Sequence, residues 1–352
     1  MATLDGYVIR PASQKGNPSV VSGSQFTREW AFHCHRRIDA HVAAYLNWQT
    51  VEQVRIVQDQ NSGRSIITSL ANNMAVTGSP TTQLLTNMGP LRVCMPDGTK
   101  KDFHWVSLLL APFDSSGRDV CPRSTIACRA ACQGTFNLNE VNASRLGIPS
   151  SWAEALRKLQ RAKTRQFFED RVSSIKHLCN ELEGWYENAA ENGRGLLCSL
   201  NVYSDLPWET AALGAIPQRF PDIQFWDFSR DYQRAEGLPK NYEICWSWSE
   251  IEQDQMECYR LLNNGWNVAV VFGQSGRGLL GLKSYDQHIP KHFIVRGEQF
   301  EVYDGDRTRF VLSDHLRLAK RPGRICGLRL KAVSFAVREA ALQSGFAQLH
   351  NP

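Results

Sequence analysis

Between Trp105 and Leu330, short apolar runs rich in β-branched and aromatic residues alternate with longer segments of helical composition. No other feature constrains the fold as much, because neighbouring parallel strands need a crossover of a dozen or more residues and a helix is the usual one. The runs are Trp105 to Leu110, Leu196 to Val202, Ile223 to Phe228, Tyr242 to Trp248 and Asn267 to Phe272, followed by Phe293 to Val302 and Ile325 to Leu330. A long helical region, Trp152 to Asn188, separates the first two. A helix from about Ser249 to Asn263 stops before Gly265, the residue type that commonly ends helices. The expectation is an α/β fold with mostly parallel strands.

Upstream, residues 1–24 are rich in Ser, Gly, Pro and Asn, with no apolar period. Phe32, Ile38, Val42, Leu46, Val51, Val54 and Val57 fall roughly on one helical stripe, so Phe26 to Val57 predicts one or two helices. Thr77 to Pro90 is polar and rich in turn-forming residues. The expected division is a partly helical N-terminal extension over residues 1–90, an α/β domain over 91–332 and a C-terminal helix or tail over 333–352.

At 42% hydrophobic and 21% charged residues, the composition is that of a globular protein and excludes a disordered chain. The net charge of +5 comes from 40 basic and 35 acidic residues, so contact with nucleic acid is permitted but not demanded. The first residues lack a secretory pattern, and no apolar stretch approaches the length of a membrane span. A cytoplasmic protein with no membrane partner is expected, its thiols reduced. Clustered members of its ten cysteines are then better read as ligands or catalytic groups than as disulfides.

Parallel α/β folds carry their chemistry at the carboxyl ends of the strands. Here the second run continues into Asn201-Val-Tyr-Ser204-Asp205-Leu-Pro-Trp-Glu209, the third into Asp227-Phe-Ser229-Arg230 and the fourth into Ser247-Trp-Ser249-Glu250. Asp205, Glu209, Asp227 and Glu250 are the candidate catalytic carboxylates, and Asn201, Ser204, Ser247 and Ser249 the candidate cofactor-binding or ligand-binding groups. Ser204, Asp205 and Ser249 also suit helix caps.

The loop after the first run contains Cys121, Cys128 and Cys132. Cys128 and Cys132 are four apart and share a face on a starting helix, and Pro122 lets the loop fold Cys121 back beside them. Three readings remain open. The thiols could hold a [4Fe–4S] cluster with one iron free to bind a ligand such as S-adenosylmethionine, or a structural Zn²⁺ completed by a distant residue, or no metal.

The strings Leu108-Leu-Leu-Ala-Pro112-Phe-Asp-Ser-Ser-Gly117-Arg-Asp-Val-Cys121-Pro-Arg-Ser-Thr-Ile-Ala-Cys128, Lys163-Thr-Arg-Gln-Phe-Phe168, Leu200-Asn-Val-Tyr-Ser-Asp205-Leu-Pro-Trp-Glu209 and Val302-Tyr-Asp-Gly-Asp306 resemble the phage "gene 88 protein" family and its phage and plasmid relatives. The resemblance spans about Leu84 to Lys331. It implies a phage- or plasmid-encoded protein working in a bacterial host cell, and it names no activity. A looser similarity is to radical S-adenosylmethionine enzymes, which have an incomplete (β/α) barrel with three cluster cysteines after the first strand. That similarity implies the same barrel here, an iron-sulfur enzyme, and a small-molecule or nucleotide substrate at the strand ends. This chain departs from that superfamily in the wider spacing of its cysteines and in carrying Ser204-Asp205-Leu-Pro-Trp208-Glu209 where a Gly-Gly-Glu stretch is common.

An alternative is a nucleic-acid-binding or nicking protein of phage or plasmid replication. The acidic strand ends would bind Mg²⁺, the basic run Arg317, Lys320, Arg321, Arg324, Arg329 and Lys331 would follow phosphates, and Trp246 and Trp248 would stack on bases. His33-Cys-His35 superficially matches the paired histidines of nickases but lies in a helical pattern that points the two rings apart. Gly273-Gln-Ser-Gly276-Arg-Gly278 is a weak candidate phosphate loop that lacks a P-loop ending.

Overall fold

The computed structural model describes residues 84–95, 97–132, 134, 150–274, 288–308, 310–313, 322–331 and 335–350, together with the antiparallel strand pair β1 (Ala2–Leu4) and β2 (Tyr7–Ile9). The expected helices of Phe26 to Val57 and the His33–His35 pair lie outside the described residues.

The principal strands are β3 (Leu85–Cys94), β4 (Lys100–Leu108), β5 (Gly195–Ser199), β6 (Gln224–Ser229), β7 (Tyr242–Ser247), β8 (Val268–Gly273), β9 (His292–Val295), β10 (Glu298–Asp304), β11 (Ile325–Arg329) and β12 (Ala347–Leu349). They form one ten-stranded sheet in the order β3-β4-β5-β6-β7-β8-β11-β10-β9, with β12 also on β8. Only the β3–β4 and β9–β10 pairs are antiparallel. The mostly parallel α/β sheet is therefore as expected.

The sheet does not close into a barrel. An isolated bridge joins Cys94 of β3 to Val311, which follows β10 in the chain; the Cys94 N–H donates to the Phe310 carbonyl at 3.1 Å and the Leu312 N–H to the Cys94 carbonyl at 3.1 Å.

The helices are α1 (Ile126–Ala130), α2 (Ser150–Glu169), α3 (Arg171–Glu191), α4 (Ile216–Arg219), α5 (Glu252–Asn263) and α6 (Phe335–Gln343). Consecutive parallel strands laid side by side place all their crossovers on one face. Accordingly Phe167 of α2, Leu178 and Leu182 of α3, and Cys258, Leu261 and Leu262 of α5 share a core with Val106, Leu196, Phe225, Ile244 and Val270 of the sheet. The opposite face buries Leu197, Trp226, Cys245 and Cys326 against Phe310 and Leu312, and no helix contributes to that cluster among the described residues.

Three local expectations need correction. The helical region Trp152 to Asn188 is two helices, broken where the Asp170 carboxylate accepts the Ser173 N–H at 3.2 Å and caps α3. The run Phe293 to Val302 is a hairpin, turned at Arg296 and Gly297 with φ of 50° and 86°. Thr77 to Pro90 runs into β3, a strand its composition hides because it carries Gly89, Pro90 and a bulge between Asn87 and Gly89.

At the carboxyl end of the sheet, β7 and β8 diverge. β7 pairs with β8 only through Trp246 and Ser247, at Val268 and Ala269. Beyond that point β12 pairs with Val271 to Gly273. The chain returning through α6 thus wedges into the gap between two neighbouring strands.

Candidate functional site

The segment 109–132 leaves β4 and lies over the carboxyl ends of the next strands. Its course is fixed by specific bonds. Thr164 Oγ1 accepts the Ala111 N–H at 2.8 Å, the Val120 carbonyl accepts the Asp205 N–H at 2.7 Å, and Cys121 Sγ donates to the Tyr203 carbonyl at 3.3 Å. Arg129 ties the loop to itself through Ser124 (2.8 Å), Asp114 (3.2 Å) and Asp119 (3.3 Å). Lys163, beside Thr164, is buried and donates to the Leu84 carbonyl at 3.2 Å; burial pushes its amine down to about 8, opposed by Glu181. The Lys163-Thr-Arg string therefore anchors the loop and β3 from α2.

Thr125 caps α1, accepting the Cys128 N–H at 3.1 Å. The same Thr125 oxygen accepts from Arg230 Nη1 at 3.1 Å, and the Arg230 guanidinium lies against the Cys128 thiol. Burial raises the Cys128 pKa, and Arg230 pulls the other way. Burial pushes the Cys121 thiol up to about 12, helped by Cys132, Asp205 and Cys128. The three cysteines are thus mutual neighbours, partly buried and unbridged. Among the described residues, no three His, Cys, Asp or Glu side chains stand ready in metal-ligating geometry.

Beneath the loop, five of the expected residues form one network. Asp227 is buried and accepts the Asn201 N–H at 2.8 Å, the Tyr242 hydroxyl at 2.8 Å and the Leu200 N–H at 3.3 Å. Burial still lifts its carboxyl to about 7. Asn201 Oδ1 accepts from Ser204 Oγ (2.8 Å), the Leu206 N–H (2.9 Å) and Trp208 Nε1 (3.1 Å). Asp205 accepts from Ser229 Oγ (2.6 Å), the Arg230 N–H (2.9 Å) and Arg234 Nη1 (3.1 Å). Glu209 takes Arg234 in a fork at 2.8 and 2.9 Å.

Asn201, Ser204, Asp205, Glu209 and Asp227 therefore come together as expected by position, but in a network closed by Arg234 and Tyr242. Ser249 and Glu250 sit in a second group. Ser249 Oγ donates to Asp254 at 2.6 Å, Arg230 pairs with Asp254 at 3.2 Å, and Glu250 stands 4.0 Å from Arg230. The Ser247 side chain alternates to the opposite face of β7 from Trp246, so it joins neither group.

Arg230 and Arg234 are the residues that sequence reasoning passed over. Arg230 stood in the quoted Asp227-Phe-Ser229-Arg230 string. The partners of Arg234 lie up to 29 positions away, beyond the reach of any local pattern.

Of the basic run, Arg329 is held by Asp304 through two bonds of 2.7 Å and Lys331 by Asp306 at 2.6 Å, while Arg317, Lys320 and Arg321 lie outside the described residues. Trp246 and Trp248 are buried, so neither presents a face to a base. The loop 273–278 is described only to Gln274. No described helix is long and apolar enough to cross a membrane.

The fold and site define a mixed α/β protein whose polar groups and clustered cysteines gather at the carboxyl ends of a mostly parallel sheet. Residues 89–345 match the Gene product 88 family, and the chain belongs to that family. No curated protein and no solved structure matches it.

Proposed function

We propose that this protein is a cytoplasmic iron-sulfur protein of phage or plasmid origin, built on an incomplete (β/α) barrel and binding a small-molecule or nucleotide ligand at the carboxyl ends of its strands. The observation that carries the proposal is the convergence of Cys121, Cys128 and Cys132 in the loop after the first parallel strand, with the Arg230 guanidinium beside Cys128. The consecutive order of the parallel strands and the shared face of α2, α3 and α5 favour a curled sheet.

By type, three soft sulfur donors suit a [4Fe–4S] cluster, although they do not stand in ligating geometry and would have to close on it. All three are partly buried, and the raised pKa values of Cys121 and Cys128 mean that thiolates there need a cation, which a cluster supplies. Cys121, Cys128 and Cys132 would hold it, leaving one iron without a protein ligand. When bound, it supplies one-electron reduction to a ligand such as S-adenosylmethionine. Arg230 would stabilise the thiolate form of Cys128, Thr125 and Arg129 would hold the loop in place, and the Asp205–Arg234–Glu209 group would fix the strand ends beneath it.

The test is anaerobic purification, followed by the visible spectrum and the iron, sulfide and zinc content per chain. A broad absorption near ~400 nm with about four irons, lost in Cys128→Ala, is the expected result. Zinc alone would make the triad a structural site, and a protein still free of metal after anaerobic reconstitution would overturn the proposal.

A further inference from the structure

Arg338 is only 2% exposed, on α6, the helix that leads into β12 between β7 and β8. Its Nε donates to the carbonyl of Gln274, the residue that follows β8, at 2.9 Å. Its Nη2 is buried and has no hydrogen-bond partner. Among the described residues no carboxylate pairs with it, and adjacent Glu339 acts on it only at longer range. Three other cations at this end of the sheet have acidic partners: Arg230 has Asp254, Arg234 has Asp205 and Glu209, and Lys331 has Asp306. A buried cation whose only countercharge is not paired with it is costly, and the unpartnered Nη2 leaves a place for an acceptor of opposite charge.

The surroundings indicate where that opposite charge comes from. β12 fills the divergence of β7 and β8, so Arg338, bonded to the residue after β8, stands at the carboxyl ends of these strands, the end at which α/β proteins hold ligands. α6 packs against α1, the helix that carries Cys128, so Arg338 and the cysteine loop border the same end of the sheet. Glu250 Oε2 and Trp248 Nε1, at the end of β7, are also buried without hydrogen-bond partners.

We propose that Arg338 anchors the anionic group, carboxylate or phosphate, of a small ligand bound at the carboxyl ends of β7, β12 and β8 beside the cysteine loop. This deepens the proposed function by naming the charge of the ligand, yet it requires no cluster.

The experiment measures binding of methionine, as an amino-acid carboxylate, and of AMP, as a phosphate monoester, by equilibrium dialysis and by the shift in thermal midpoint. It compares the wild-type protein with Arg338→Met, whose folding is checked by circular dichroism. One of the two anions should bind the wild type at least about tenfold more tightly than the variant, and the anion that does so identifies the source of the charge. Without ligand, the variant should be no less stable than wild type, because an unpaired buried charge has been removed. If Arg338→Met does not fold, Arg338→Gln takes its place, judged by the same loss of binding. Equal binding by the folded variant, or Arg338-dependent binding of neither anion, overturns the proposal. Repeating the dialysis on Cys128→Ala separates this proposal from the cluster, since binding that persists there stands whether or not iron is held.

Discussion

Two layers lie at the carboxyl ends of the strands, and they treat polar groups in opposite ways. In the lower layer Asn201, Asp205, Glu209, Asp227, Arg234 and Tyr242 are buried or nearly so, and their polar atoms close on one another. In the upper layer three neighbouring thiols share a loop, and Glu250 Oε2, Trp248 Nε1 and Arg338 Nη2 are buried without hydrogen-bond partners. A satisfied network is rigid and has nothing left to offer a ligand, whereas unsatisfied donors have bonding capacity in reserve. The acidic strand ends are therefore a satisfied foundation, and the unsatisfied groups lie above them, where the proposed chemistry would take place.

The largest effect that would break this comparison is at Arg234. Truncation to Ala leaves Asp205 and Glu209 buried without their cation and should lower stability by about 3–5 kcal/mol, read from the urea midpoint. A loss below about 1 kcal/mol would show that the lower layer is not the foundation.

Glu243 sharpens the contrast, because it is a buried carboxyl with no cation beside it. It lies on β7 opposite the helix-bearing face, hydrogen-bonded to Ser313, and burial raises it to about 8. A carboxyl whose folded pKa exceeds its unfolded value keeps its proton more firmly in the native state. Stability should therefore be highest below the unfolded pKa and fall as the pH rises toward 8, by up to about 1.4 kcal/mol per pH unit. Asp227, lifted to about 7, adds a slope of the same sign below that pH, so Glu243→Gln should flatten the curve chiefly between about pH 7 and 8. If the slope between about pH 7 and 8 survives in the variant, another group is responsible.

How much of this was legible depended on the distance over which each signal acts. Strands such as β5 and β8 are apolar at almost every position because both faces are covered, and such a run declares itself. β3 stayed hidden because a bulge and Pro90 interrupt it at an edge. The β9–β10 turn escaped because a single Arg-Gly pair reverses the chain inside one continuous β-rich run. The cysteine loop was legible from chain order alone, since it directly follows the first parallel strand. That Asp205 and Glu209 are occupied was not legible, because their occupant is an arginine in a short helical turn after β6. Arg338 gave no signal either, because an arginine on an amphipathic helix reads as a solvated one until the helix is seen packed against β12 and β8.

The smallest expected effect lies in the upper layer, at Thr125, and it tests whether that layer is held together locally. The Thr125 hydroxyl oxygen accepts from both the Cys128 N–H and Arg230, so it fixes the start of α1 and the guanidinium facing the thiol at once. Thr125→Ala removes a cap, for which about 1 kcal/mol is typical. On a helix of five residues most of that loss should appear as local opening and little in the global unfolding midpoint. The measurement is the rate of Cys128 labelling by a thiol reagent under native conditions, in chains where Cys121 and Cys132 are replaced by Ser. A cap loss of about 1 kcal/mol, expressed locally, corresponds to labelling about fivefold faster. An unchanged rate together with a lower global midpoint would show that α1 opens only when the whole domain does, making the cysteine loop as rigid as the network beneath it.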